Sequence, residues 1–202
     1  MPGEILLDKK NILLALISIV IIISFVLRII FSQSRSRSIY AISERLGYSF
    51  MLFDDGHVLD SLKAFPMYNV GHDRDVSNIM EKTLDNMEIT VFDYKYTTFK
   101  HGCFKGPSHN FPDTQTVMFI KPKAFAPPVF ELHPKKDNPG ISENAFEYFN
   151  KQSIMSVESN KNGIIIYDKK IVHPPEDLEI IILQRLRFVE LISKNPTGAM
   201  QQ

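Results

Sequence analysis

The sequence predicts an α+β fold: an antiparallel sheet packed by helices, preceded by one transmembrane helix. Three observations carry that prediction. Residues 12–31 read ILLALISIVIIISFVLRIIF, an apolar run broken only by Ser18, Ser24 and Arg28. Residues 87–91 then alternate with the two-residue period of a strand, and 92–98, 114–121, 153–159 and 163–168 read as further strands. Finally, EDLEIIILQRLRFVELISK opens with acidic residues and closes with a basic one, as the helix dipole favours.

The apolar run comes first. At 1.5 Å per residue it would cover about 30 Å, the thickness of a bilayer's hydrocarbon layer. Both serines can bond back to backbone carbonyls, and Arg28 is close enough to the end to reach the headgroups. Ser32 and Ser34, next to Arg35 and Arg37, make a poor signal-peptidase site, so an anchor is expected rather than a cleaved leader. Lys9 and Lys10 precede the run, while Arg28, Arg35, Arg37 and Arg45 follow it. The positive-inside tendency therefore places the C-terminal region in the cytoplasm.

The expected organisation is an N-terminal flank (1–11), a membrane helix (12–31), a spacer (32–38), a soluble α+β domain (39–195) and a disordered tail (196–202). The helical spacing of Ile39, Ile42 and Leu46 ends at Gly47, a suitable C-terminal cap. Tyr48, Phe50 and Leu52 then form a strand that stops at the DDG turn, 54–56. Residues 57–78 read as irregular, with a short helix around Leu59, Leu62 and Phe65. In 87–98 the apolar phase switches after Val91, which implies either a bulge near Phe92 and Asp93 or a strand covered on both faces. Residues 99–113 read as a loop and 114–121 as the hairpin partner of 87–98. VFEL (129–132) is a short strand, and Ser142 caps a helix through 150. Asn162-Gly163 is expected to turn the last hairpin. The final helix should cover a sheet face with Ile181, Leu183, Leu186, Val189 and Leu191.

Composition removes several functions. Lys plus Arg and Asp plus Glu number 23 each, so there is no basic excess to neutralise phosphates, and nucleic acid is not an expected partner. One cysteine, Cys103, rules out an intramolecular disulfide. No phosphate-binding glycine loop, nucleophile elbow or HExxH motif occurs, and no cofactor is expected.

ERLGYSF, FDYKYTT, QTV before an apolar strand, and GIIIYD followed by PPEDLE occur in that order. In this the chain resembles an uncharacterised family of bacterial single-span membrane proteins over most of residues 38–190. The resemblance implies a membrane-tethered domain and brings no catalytic residues. The chain departs from the pattern between VFELHP and the last hairpin, where KKDNPGISENAFEYFNKQ stands in place of a longer helix–strand unit.

Asp93 is the most conspicuous candidate residue. A carboxylate among strand apolars is either an acid–base group or a structural acceptor, and with no nucleophile in sight the structural role is preferred, served by Tyr94, Lys95, Tyr96 or Thr97. His101, Cys103, His109 and Asp113 form the best metal candidate, although their spacing matches no recognised finger and a chance cluster is favoured. His57, His72, His133 and His173 lie beside turns or prolines and read as solvated, as does the HDRD run at 72–75. The aromatic row Phe92, Tyr94 and Tyr96 reads as core rather than as a binding platform. The expected function is therefore a membrane-anchored, non-catalytic interaction or envelope-associated domain, with the bilayer as partner through 12–31. A membrane-anchored metal-dependent enzyme and a lipid- or ligand-sensing module are the alternatives.

Overall fold

A computed structural model describes residues 9–100, 109–134, 137–152 and 155–193. By compactness the chain divides into residues 1–39 and residues 40–202.

Helix α1 (Lys9–Leu46) contains the apolar run. The hydroxyls of Ser18 and Ser24 donate to the carbonyls of Leu14 and Val20 at 2.9 and 2.8 Å, which satisfies them within the helix. Every side chain from 12 to 27 is exposed. Among the described residues, no helix is long and apolar enough to cross a membrane. The expected span at 12–31 is thus not established by the fold. The helix ends as expected: Gly47 is left-handed, with φ at 68°, as a C-terminal cap requires. Tyr48 N and Gly47 N donate to the carbonyls of Ser43 and Glu44.

Residues 40–202 form the predicted α+β arrangement around a seven-stranded antiparallel sheet. Its strands are β1 (Ser49–Phe53), β2 (His72–Leu84), β3 (Met87–Lys100), β4 (His109–Pro122), β5 (Phe130–Leu132), β6 (Met155–Asn160) and β7 (Gly163–Asp168). Their spatial order is β1-β2-β3-β4-β7-β6-β5. Helices α2 (His57–Leu62), α3 (Glu143–Lys151) and α4 (Leu178–Ser193) complete the unit. Ser142 caps α3 as expected, its Oγ accepting from Ala145 N at 3.3 Å.

Both faces of the sheet are covered, which explains the phase change in β3. On one face Phe92, Tyr94 and Tyr96 pack with Val117, Phe119 and Tyr167 under Leu62 of α2, Phe65 and Met67. On the other, Ile89, Val91, Met118, Ile120, Ile164 and Ile166 are buried, and Arg185 of α4 bonds to Asp168 at the end of β7. The β3–β4 register runs without interruption from Met87↔Pro122 to Lys100↔His109. The bulges lie in β2 instead, where Asn78 and Ile79 oppose Phe92, and Asp73 and Arg74 oppose Tyr96. Asn78 (φ 54°) and Asp73 (φ 49°) are both left-handed. Asn and Asp tolerate that conformation best after glycine.

Four expectations need correction. Residues 72–78 are strand, not irregular chain, because two bulges erase the alternation that would have revealed β2. The 99–113 loop is shorter than expected, since the ladder continues to Lys100↔His109. The last hairpin turns on Lys161 and Asn162, because Gly163 already pairs with Asn160. Helix α4 buries Leu178, Ile182, Arg185, Phe188, Val189 and Ile192, so of the expected face only Val189 is fully buried, and Leu183 is 60% exposed. The 196–202 tail lies outside the described residues.

Gly163 opens β7 close against the backbone of β4. A Cβ there would lie 2.6 Å from the Ile120 carbonyl oxygen and 2.7 Å from Phe119 Cε2, with φ at 147°. Gly163→Ala is expected to destabilise the fold by about 1–3 kcal/mol through backbone strain. A thermal or denaturant melt of the purified chain checks this, and an unchanged midpoint would contradict the close approach.

Candidate functional site

Two polar centres lie on opposite faces of the sheet. The first is built around Asp93, which is 4% exposed. Its Oδ2 accepts from Asn78 Nδ2 at 2.9 Å and its Oδ1 from Thr116 Oγ1 at 3.2 Å. The Asn78 bulge in β2 and the Asp93↔Thr116 pairing with β4 supply these donors. These two donors come from neighbouring strands and not from the adjacent residues expected. Thr116 Oγ1 also accepts from His173 N at 3.1 Å, and Thr116 N donates to Ile171 O at 2.9 Å, which ties the segment after β7 to β4.

That segment brings His173 to Asp168. His173 Nε2 lies 2.6 Å from Asp168 Oδ2, and Arg185 NH2 reaches the same oxygen at 3.3 Å. Arg185 is only 3% exposed. Burial opposes the charge of Asp168, yet the hydrogen bond from His173 and the Arg185 charge outweigh it and hold the pKa below the ordinary carboxylate value. The expectation of a solvated His173 is thus corrected.

The second centre is an open cleft of about 160 Å³ on the Tyr94–Tyr96 face, where the turn Pro66–Asn69 meets β4, β6 and β7. Glu158, 2% exposed, lines it. Its Oε1 accepts from Tyr167 Oη at 2.8 Å and its Oε2 from Met67 N at 2.9 Å. Gln115 accepts from Lys170 N through Oε1, while its Nε2 donates to Met67 Sδ at 3.0 Å, a weak acceptor. Burial pushes the Glu158 carboxyl up, only partly countered by its two neutral donors. Burial and the Glu158 charge together push the Tyr167 phenol strongly up. A buried acid bonded only to neutral donors, and open to a cleft, has the signature of a binding site.

Sequence reasoning missed Glu158, Tyr167, Gln115, Asp168 and Arg185 as functional or network residues. Gln115 and Thr116 stand in QTV, and Tyr167 and Asp168 in GIIIYD, so the motifs were visible while their pairing across strands was not. Of the metal candidates, His101 and Cys103 lie outside the described residues, and His109 is placed only as the backbone partner of Lys100. Asp113 accepts from Thr98 Oγ1 at 3.0 Å and pairs with Lys170 Nζ at 2.7 Å. The HDRD run is strand, with Arg74 donating to the carbonyls of Tyr68 and Gly71 and lying 4.3 Å over the Tyr68 ring. His133, 3.9 Å from Glu131, borders the Glu158 cleft.

Ligand atoms of Asp54, Asp55 and His57 come within 4.8 Å of one another, a grouping that could hold a cation. Each has an internal task, however. Asp54 accepts from the backbone N–H groups of Val58 and Leu59 at the start of α2, and His57 bridges Asp55 and Glu81 at 2.7 and 3.0 Å.

No family model, curated protein or solved structure matches the chain. The family resemblance therefore rests on its short motifs alone.

Two outcomes follow from the acids. Asp168→Asn leaves Arg185 buried without its carboxylate, and a loss of about 3–5 kcal/mol in a denaturant melt is expected. A loss close to zero would mean that the pair contributes nothing net. Glu158 has the opposite linkage. With its folded pKa raised, the native state holds the proton more tightly than the unfolded chain. Its contribution is therefore most favourable below the ordinary value of 4.5 and falls as pH rises through the raised one. Melts from about pH 4 to pH 8 should show this decline in the parent protein and its removal in Glu158→Gln.

Proposed function

We propose that the chain is a membrane-anchored, non-catalytic interaction protein, with residues 12–31 in the bilayer and the α+β unit on the cytoplasmic side. The observation that carries the reading is a helix apolar on every side and covered on none. Leu14, Val20 and Phe25 are 62%, 62% and 65% exposed, and no polar face breaks the ring. A helix hydrophobic all round belongs in a protein core or in a membrane. The sequence continues apolar to Phe31, which brings the run to bilayer length. The arginine excess after the run supports the orientation, and the short motifs support the single-span class. The non-catalytic part is supported by Asp93 and Asp168, whose carboxylates are engaged with internal donors.

Fractionation of cells expressing the full chain tests the anchor. The protein is expected to stay with the membrane through alkaline carbonate washing, whereas Ile19→Lys with Ile22→Lys should release it, since each central lysine costs about 2.5–3.5 kcal/mol on the insertion scale. Release of the parent chain by carbonate would overturn the reading. Labelling of Cys103 by an impermeant maleimide only after lysis is the expected sign of cytoplasmic orientation; labelling in intact cells would reverse it.

A further inference from the structure

We propose that the cleft beside Glu158 binds a primary ammonium group on an alkyl stem, either a small free amine or the end of a lysine side chain. This goes beyond the membrane-anchor reading and stands independently of it.

Among the described residues Glu158 forms no ion pair, and the lysine of its cleft, Lys169, is exposed to solvent. Asp168, the other acid at the end of this part of the sheet, has Arg185 and His173 within 3.3 Å. Glu158 is more deeply buried and bonds only to a phenol and a backbone N–H. Burying a carboxylate without a cation is costly, so an arriving cation recovers more here than at an exposed acid. Each Glu158 oxygen has accepted a single bond, and Tyr167 Oη donates its proton and keeps its lone pairs. These acceptors suit the three N–H groups of an ammonium.

Size and walls fix the remainder of the ligand. The cleft measures about 160 Å³. Pockets for drug-sized ligands span roughly 300–1000 Å³, so a small group or the end of a side chain fits this cleft better than a nucleotide or a sugar chain. Pro66, Met67, Val70 and the Tyr96 ring line the cleft and would cover methylenes, and an aromatic face attracts a cation. A hard metal ion would want several oxygen ligands at short range. Among the described residues, Glu158 is the one carboxylate lining the cleft.

The titratable and charged groups around Glu158 are Tyr167 from β7, Tyr96 from β3, Glu131 and His133 at and after β5, and Lys169 after β7. Glu131 and Glu158 add negative potential, which Lys169, exposed on the rim, partly offsets. Lys169 thus gives a sign test. Removing it should strengthen binding of a cation and weaken binding of an anion. The raised pKa of Glu158 fits the same picture, because a bound ammonium would stabilise the ionised form and binding should tighten as pH rises.

The experiment is calorimetric titration of the full chain in detergent with n-butylammonium and Nα-acetyl-lysine amide, with n-butanol and butyrate as controls. Saturable binding of the ammonium probes alone is expected. It should weaken about tenfold or more in Glu158→Gln, a loss of about 1.4 kcal/mol, and strengthen in Lys169→Ala. Tighter binding of acetyl-lysine amide than of butylammonium assigns the source to a partner's lysine; the reverse order assigns it to a free amine. Absence of saturable ammonium binding, equal binding of butanol, or weaker binding in Lys169→Ala would overturn the proposal. Lys169→Ala, on the exposed rim, decides the matter even if Glu158→Gln fails to fold.

Discussion

The structure depends on one constraint: its central strands are covered on both faces, so no polar group there can be satisfied by solvent. Residues 91–94 of β3 are all buried, and Asp93 lies among them. Even a neutral polar group without a bond costs about 2–7 kcal/mol in such a setting, and a bare carboxylate costs more. β2 and β4 each bring a donor to Asp93. The dependence runs both ways. A one-residue slip of β3 would take Asp93 from Thr116 and turn the Phe92–Tyr94–Tyr96 row toward α4. In the observed register the bulge at Asn78 brings its amide within 2.9 Å of the carboxylate.

The same constraint separates the two remaining acids. Asp168 is neutralised inside the fold by Arg185 and His173, and the segment bearing His173 is held by Thr116. That network is closed, each member having a partner of the opposite character. Glu158 has neutral donors, and the chain leaves a cleft beside it. A deeply buried acid with a counter-ion is a fastening. One without a counter-ion is incomplete, and the raised pKa expresses that incompleteness as a tendency to hold a proton. The capacity to bind belongs where the charge balance is left open.

Legibility in the sequence followed the same line. Strand β1, the later part of β4, β7, the capped helix α3 and the Gly47 terminus could be read because each is set by local residue types and spacing. Strand β2 could not, since its two bulges place Val76 and Ile79 at a spacing of three on one face. Helix α4 was recognised as a helix but its buried face was misjudged, because Arg185 occupies a position where an apolar residue would be expected. The burial of Asp93 was legible and its partners were not: Asn78 and Thr116 are 15 and 23 residues away. Nothing local in the sequence singles out Glu158. Only the turn at Pro66–Asn69, 91 residues earlier at Met67, covers it.

The helices show why the apolar N-terminal run is a separate problem. Helix α4 is amphipathic in effect: it buries one side and leaves Ile180 and Leu183 outward, 58% and 60% exposed. Scattered exposed residues of that kind are normal on a folded surface. Residues 12–27 differ in kind, because the helix has no polar side to turn toward water and both serines are already bonded to their own backbone. Within residues 40–202 both sheet faces have their covers, α2 with the Pro66–Asn69 turn on one and α4 on the other. The unit needs no further apolar helix to complete its core. On the proposed reading a hydrocarbon layer would solvate the run without requiring a matching surface.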